Sequence, residues 1–273
     1  EFIDILNTWF GYPQLPVGHV VHGVNCETDA INYAQKVCEM KTEDNHFLFR
    51  RTKNSYESNL ESTELYRRLL SQQPDKSVCI ISVGFLTNLA KLLSTPADKY
   101  SSLTGKELIA KKVKSLVLMG GDFRKENKLK EYNIYKDCSA SQKVFSEWPT
   151  SIVASPFDIG ISILYPAAVI QNDSIWKTPN PVVEAYKAYL PMPYDRPTWD
   201  LTAVLYAIEP NVGYFNCSQK GFIKVDEKGF TTFTPGQNGK HRYLSVTFMQ
   251  SQKIKERIIY LTTGNFRKKI NDK

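Results

Sequence analysis

Hydrophobic positions change their period several times along this chain, and the densest pattern lies between Ser77 and Asn133. Residues 78–83 form a short, β-branched apolar run that stops at Gly84, the pattern of a strand buried on both faces. Leu86, Leu89, Ala90 and Leu93 then follow the i, i+3, i+4, i+7 spacing of an amphipathic helix. Thr104 and Glu107 have capping-box spacing ahead of a second helical stretch. Residues 116–119 are another buried-strand run, ended by Gly120 and Gly121. Strand, helix and strand of this length predict a right-handed βαβ unit in a parallel sheet. Ligands of such sheets sit beyond the carboxyl ends of the strands, so Gly84, Phe85, Met119, Gly120 and Gly121 are expected to border a pocket.

The remaining segments extend this plan. Residues 1–10 put Phe2, Ile5, Leu6 and Trp9 on one helical face, and 17–21 read as a short strand ending at His22 and Gly23. A helix over 29–40 and a polar loop over 41–55 follow. Ser58 and Glu61 are spaced as a capping box opening a helix through Leu70. The charged, aperiodic stretch 122–130 predicts a mobile loop above the sheet. Asp137 suits the N-cap of a helix over 139–148, and 150–154 read as the next strand, closing in 156–159. Helices are expected over 179–190, with Pro181 in the first turn, and over 200–208; the three prolines of 191–197 enforce a loop between them. Residues 221–225 and 229–234 predict a hairpin, 242–248 a strand, and 252–261 a closing helix stopped by Gly264. The expected fold is α/β, a mostly parallel open sheet flanked by helices. It forms one domain over 1–273, with a core over 1–210 and a β-hairpin and closing helix over 211–273.

Composition narrows the classes of partner. With 42% hydrophobic and 23% charged residues, the 273-residue chain has an ordinary globular balance. No apolar run approaches the roughly 18–20 residues of a membrane helix, so no membrane partner is expected. The net charge of +7 is scattered, apart from a cluster at 267–269, which reads as a solvated surface and not a nucleic-acid face. Cys26, Cys38, Cys79, Cys138 and Cys217 form no CxxC pair; Cys79, inside a strand run, reads as a small core residue. The compartment, cytoplasmic or periplasmic, is left open by these features.

Glu131 with Asn133, Asp158 and Asp200 fall where strands end and helices begin. The Gly84 turn adds backbone carbonyls, and Thr87 and Asn88 add polar side chains. Such a set suits a hard cation such as Ca²⁺, or the hydroxyls of a sugar, and lacks the Cys/His character of zinc sites. No GxSxG elbow, HExxH, P-loop or GxGxxG is present. The plainer alternative is that each group caps a helix or turn. His22 is either a loop histidine or a pocket-edge group able to move a proton.

Residues 83–90 (VGFLTNLA), 117–121 (VLMGG), Glu131-Tyr132-Asn133 with Asp137, and Trp199-Asp200 resemble, in order and spacing, the nucleoside hydrolase family of the inosine-uridine preferring type. The resemblance covers most of the chain. It implies hydrolysis of the N-glycosidic bond of a ribonucleoside, a small-molecule substrate, to ribose and free base. It also implies a Ca²⁺ ion under the ribose and a possible homo-oligomer. On this likeness Asp200 and the Val83 carbonyl stand as metal ligands. Met119, Glu131 and Asn133 stand as the ribose-holding group, with Asn127, Trp199 and His22 as further substrate contacts; Asn127 lies in a loop of different length. Two departures follow. The family opens with an Asp-rich strand, DxDxxxDD, that supplies metal carboxylates and the general base. Here Asp4 lies in a helix without a second Asp near it. The chain therefore reads as starting after that strand, with its catalytic base unknown, expected upstream of Glu1, and its turnover impaired. Trp199 stands where many members have a histidine proposed to protonate the leaving base; His22, Asp158 and His241 are the candidates to replace it. The rival expectation is a non-catalytic fold-mate that binds a nucleoside or sugar.

Overall fold

The computed structural model describes residues 1–24, 32–53, 55–177 and 179–271, the side chains of 265–271 excepted. The chain opens with α1 (Phe2–Trp9) and α2 (Tyr33–Glu39). The first part of the helix expected over 29–40, and Cys26, lie outside the described residues. Only a single parallel bridge, His19 to Glu61, stands where a strand over 17–21 was expected. Val20 and Val21 are exposed, so that segment has no apolar face to bury. α3 (Ser62–Ser71) is capped by Glu61 itself, whose carboxylate accepts from the Thr63 N–H at 2.7 Å. The box expected between Ser58 and Glu61 is not made, because Glu61 serves as the cap and not as its third residue.

β1 (Val78–Ser82), α4 (Thr87–Leu93), α5 (Gly105–Lys112) and β2 (Val113–Met119) make the expected βαβ unit, with the Thr104–Glu107 capping box complete. α6 (Tyr132–Lys136) leads to α7 (Cys138–Glu147), whose N-cap is Asp137, as expected. Next come β3 (Ser151–Ser155), α8 (Phe157–Ser162), β4 (Leu164–Tyr165) and α9 (Ala167–Ile170). α10 (Pro181–Tyr189), β5 (Arg196–Pro197) and α11 (Trp199–Ile208) complete the helical half. The tail consists of β6 (Asn216–Cys217), β7 (Gly221–Val225), β8 (Thr231–Pro235), β9 (His241–Ser245) and α12 (Phe248–Asn271). α12 runs through Gly264 without stopping, since nothing there turns the backbone into the left-handed form of a C-cap.

The strand order is β1-β2-β3-β9-β7-β8, with β6 paired to β9. β1, β2, β3 and β9 are mutually parallel, whereas the β7–β8 hairpin continues the same sheet antiparallel beyond β9. β4 and β5 form a separate two-stranded antiparallel pair. β2 is buried on both sides: Leu116 and Leu118 face one core with Leu89, Ile109 and Val144, while Val117 and Met119 face the other with Ile159 and Leu205. β1 is an edge strand among the described residues, so its expected double burial fails. Ile80 is buried and Cys79 is exposed on the opposite side, not a core residue.

One polar group is locked within this scaffold. Arg67 of α3, 2% exposed, donates from Nε and Nη2 to the Asp98 carboxylate at 2.7 and 2.9 Å. It also reaches Thr95 Oγ1 at 3.0 Å and the carbonyls of Ser101 and Leu103 at 3.1 and 2.9 Å. The guanidinium holds the Asp98 pKa down to about 2. A depressed carboxyl pKa contributes stability above its unfolded value, which is lost as pH falls from about 4 toward 2. Arg67→Met leaves four acceptors without their donor, with Asp98 partly hydrated. The expected loss is about 2–4 kcal/mol, roughly 5–10 °C in the melt at neutral pH, narrowing below pH 4. A melt within about 1 °C of the parent would show that this network is idle.

Candidate active site

β2 ends on Met119, Gly120 and Gly121, and these residues place the acidic segment that follows. A Cβ on Gly120 would come within 3.3 Å of Glu131 Oε2 and 3.0 Å of Ile134 Cδ1, so glycine leaves the carboxylate and Ile134 room at this strand end. Gly121 takes φ +85° and turns the chain away. Its N–H donates to Glu131 Oε2 at 3.2 Å, while its carbonyl accepts from the Phe157 N–H at 2.9 Å. The Gly120 N–H donates to the Ser155 carbonyl at 3.1 Å, so the ends of β2 and β3 are stitched together at the carboxyl side of the sheet.

Glu131 is the N-cap of α6 and also a buried acid. It accepts from the N–H groups of Asn133 and Ile134 at 3.0 and 3.2 Å, in addition to Gly121, and is 4% exposed. Burial pushes its pKa up, the three N–H donors pull it back, and the charge of Asp200 raises it again, to about 7. Asn133 Nδ2 donates to the Met119 carbonyl at 3.3 Å and lies 3.2 Å from its sulfur. Carboxyl, amide and thioether thus meet at the end of β2.

Asp200 comes to this rim on the first turn of α11. That helix is fastened to β3 by a 2.7 Å hydrogen bond between Ser155 and Thr202 hydroxyls, both buried. The Thr198 N–H donates to the Gly160 and Ile163 carbonyls, each at 3.1 Å. A Cβ on Gly160 would lie 2.3 Å from Trp199 Cδ1, so α8 packs against the Trp199 indole and backbone of α11 where only glycine fits. Asp200 keeps exposed surface, yet protein crowds its carboxyl group and pushes the pKa up to about 6, with Arg196 pulling the other way.

Trp199 stacks on Phe157, with centroids 5.6 Å apart and planes 27° apart. Arg196 lies 5.4 Å from the Trp199 ring centroid, and Arg124 lies 5.8 Å from that of Phe157. The Trp199 Nε1–H is buried and has no hydrogen-bond partner among the described residues. Neither Phe157 nor Arg196 carried a signal in the sequence; a phenylalanine after a strand and an arginine between prolines are ordinary there.

The loop 122–130 is pinned at its root and is not the loose flap expected. Asp122 is fully buried; its carboxylate accepts from the N–H groups of Arg124 and Leu129 at 3.0 and 2.8 Å and pairs with the Arg124 guanidinium at 2.6 Å. Burial alone would raise its pKa, and these donors outweigh that and lower it. The Thr231 hydroxyl bonds both the N–H and the carbonyl of Asp122, each at 2.9 Å.

The other expected residues are placed less closely. Val83 follows β1 at the same end of the sheet and is 41% exposed. Gly23 abuts Thr87 at the start of α4, which brings the exposed His22 to that end as well; no contact joins its imidazole to Glu131 or Asp200 among the described residues. Asn127 is exposed, at φ +52°, with no hydrogen bond to Glu131 or Asn133. Asp158 lies in the first turn of α8; burial raises its pKa, Asp122 adding and Arg124 opposing. His241 is ruled out as a leaving-group acid. It pairs with Ile152 at the amino end of the parallel strands, its Nδ1 accepts from the Ile223 N–H at 2.8 Å, and burial takes its pKa down to about 4.

Among the described residues, no three His, Cys, Asp or Glu side chains gather as metal ligands. Ca²⁺ takes six to eight oxygens, and Asp200 with the Val83 carbonyl would supply two. The residues described do not fit a complete Ca²⁺ site.

The family model of the inosine-uridine preferring nucleoside hydrolase matches residues 14–256. The chain belongs to this family. Solved structures share its fold: a plant nucleoside hydrolase at 16% identity and TM-score 0.65, with 93% of this chain and 83% of that one covered. A purine-preferring ribonucleoside hydrolase from Gardnerella vaginalis matches at 16% and 0.67, covering 94% and 83%. The type III effector protein XopQ, solved with adenosine diphosphate ribose, matches at 12% and 0.61, covering 96% and 79%. No curated protein sequence matches the chain. Family and fold support ribonucleoside hydrolysis in general terms.

A carboxyl pKa raised on folding makes the native state bind more protons, so stability falls as pH rises from the unfolded value near 4.5 to the folded one near 7. Glu131→Gln removes this slope. Chemical denaturation at pH 5 and pH 8 is expected to show the parent losing up to about 3 kcal/mol more than the variant across that window. Equal losses would place the Glu131 pKa in the ordinary range.

Proposed function

We propose that this chain acts on ribonucleosides by gripping the pentose at the carboxyl ends of β1, β2 and β3, as an N-glycosidic hydrolase of its family does. The observation that carries this reading is the gathering of Glu131, Asn133 and Met119 around one strand end, close enough to Asp200 for its charge to raise the Glu131 pKa. Sugar hydroxyls both donate and accept. The Asn133 amide and a Glu131 carboxyl poised near neutral pH match that need. The negative charge of Asp200 and of ionised Glu131 favours the cationic, oxocarbenium-like sugar that forms as the C–N bond breaks.

The step these residues do not supply is activation of water. Asp200 is one ligand of an incomplete Ca²⁺ set, and the rim holds no further carboxylate cluster among the described residues. On the described residues, the 273-residue chain is expected to bind nucleoside and to turn it over slowly. Trp199 supplies no proton, and the leaving base depends on another donor, of which Asp158 and His22 remain. The incomplete ligand set also favours a second reading, a nucleoside- or sugar-binding fold-mate without hydrolysis.

The test is calorimetric binding together with ribose release over a panel of nucleosides. Saturable binding is expected, weakened about tenfold or more by Asn133→Ala and by Asp200→Asn, which corresponds to about 1.4 kcal/mol. Ribose release from the 273-residue chain is expected near background with or without Ca²⁺. Robust release would mean that the water-activating base lies within these residues. Binding that ignores both substitutions would remove the pentose from this rim.

A further inference from the structure

The loop 122–130 has a second flank that the rim does not use. Between it and the C-terminal strands lies a cleft of about 620 Å³, within the range of small-molecule sites. Phe123, Arg124, Lys125 and Lys128 line it from the loop, and Phe233 and Tyr243 from the sheet. None of Met119, Glu131, Asn133, Trp199 and Asp200 borders it.

Charge and ring chemistry are both one-sided here. Among the described residues that line the cleft, three are cations and none is a carboxylate. Arg124 is already neutralised by buried Asp122, its Nη2 lying 2.6 Å from the carboxylate. Lys125 and Lys128 have no hydrogen-bond or ion-pair partner among the described residues. Two unpaired ammonium groups lining one cleft attract an anion. The lining also holds an aromatic cluster: Phe123 stacks on Tyr243 with centroids 4.6 Å apart, and Phe233 meets Tyr243 edge-on at 5.0 Å. Such a cluster suits a flat ring more than a hydrated ion.

We propose that this cleft binds a planar aromatic molecule bearing a phosphate or carboxylate, with the anionic group between Lys125 and Lys128 and the ring against Phe123, Phe233 and Tyr243. Two ammonium groups and a ring wall each contribute, so neither an isolated anion nor a neutral ring recovers the full affinity.

The probes are 1-naphthyl phosphate, 1-naphthoate, 1-naphthol and inorganic phosphate, titrated calorimetrically into the 273-residue protein at low and high salt. One naphthyl anion is expected to bind at least about tenfold more tightly than both 1-naphthol and inorganic phosphate, and to weaken at high salt. The better of the two anions identifies the group recognised. K125M/K128M is expected to lose about tenfold or more, while Asn133→Ala, which disturbs the nucleoside rim, leaves this binding intact. The proposal is overturned by equal affinity for 1-naphthol, by unchanged binding in K125M/K128M, or by no binding of either anion. Loss of binding in Asn133→Ala alone would assign the probe to the rim instead.

Discussion

The structure turns on a carboxylate, that of Glu131, held where three backbone N–H groups converge. Two of those donors belong to the first turn of α6 and the third to Gly121, so a single side chain ties the end of β2 to the start of the next helix. Burial opposes ionisation and the N–H groups favour it. The balance leaves the group near its titration point at neutral pH, which suits recognition of a hydroxyl better than a fully committed charge. Gly120 is part of the same device, because a Cβ there would press on the Glu131 carboxylate and the Ile134 side chain.

Around this point the protein spends its aromatic and cationic residues on rigidity. Arg196, Trp199, Phe157 and Arg124 form a run of ring and guanidinium contacts from α11 across α8 to the loop 122–130. Trp199 is consumed in this run, with one face against Phe157. Trp199 thus packs on Phe157 at the rim, and an indole does not supply a histidine's proton chemistry. The buried Asp122–Arg124 pair and the Thr231 hydroxyl do for the loop what Ser155 and Thr202 do for α11: each fixes a segment to a strand end.

Much of this was legible in the sequence, for a physical reason. The short apolar runs at 78–83 and 116–119, and 152–154 before Pro156, suit strands, and the periodic helices between them favour a parallel sheet. That Glu131, Asn133 and Met119 meet at one strand end, near Asp200, was legible from the resemblance, whose ordered motifs fix their spacing. Features set by tertiary neighbours were not. Cys79 lies in an apolar run, yet one side of an edge strand stays open, and no local signal marks an edge. Glu61 took the cap that Ser58 was expected to hold, since both are capable acceptors and packing decides. Loop 122–130 looked loose because its charges were counted as solvated, when Asp122 is the most buried group in it. His241 looked like a usable proton donor until its strand register placed it at the amino end of the sheet.

The most direct test of the rim is a ¹³C-carboxyl NMR titration of Glu131 in the parent and in Asp200→Asn. With the two acids at one rim, the Glu131 resonance titrates near pH 7 and moves to lower pH once the Asp200 charge is gone. An ordinary pKa near 4.5, unmoved by the substitution, would place the two groups apart and contradict the account.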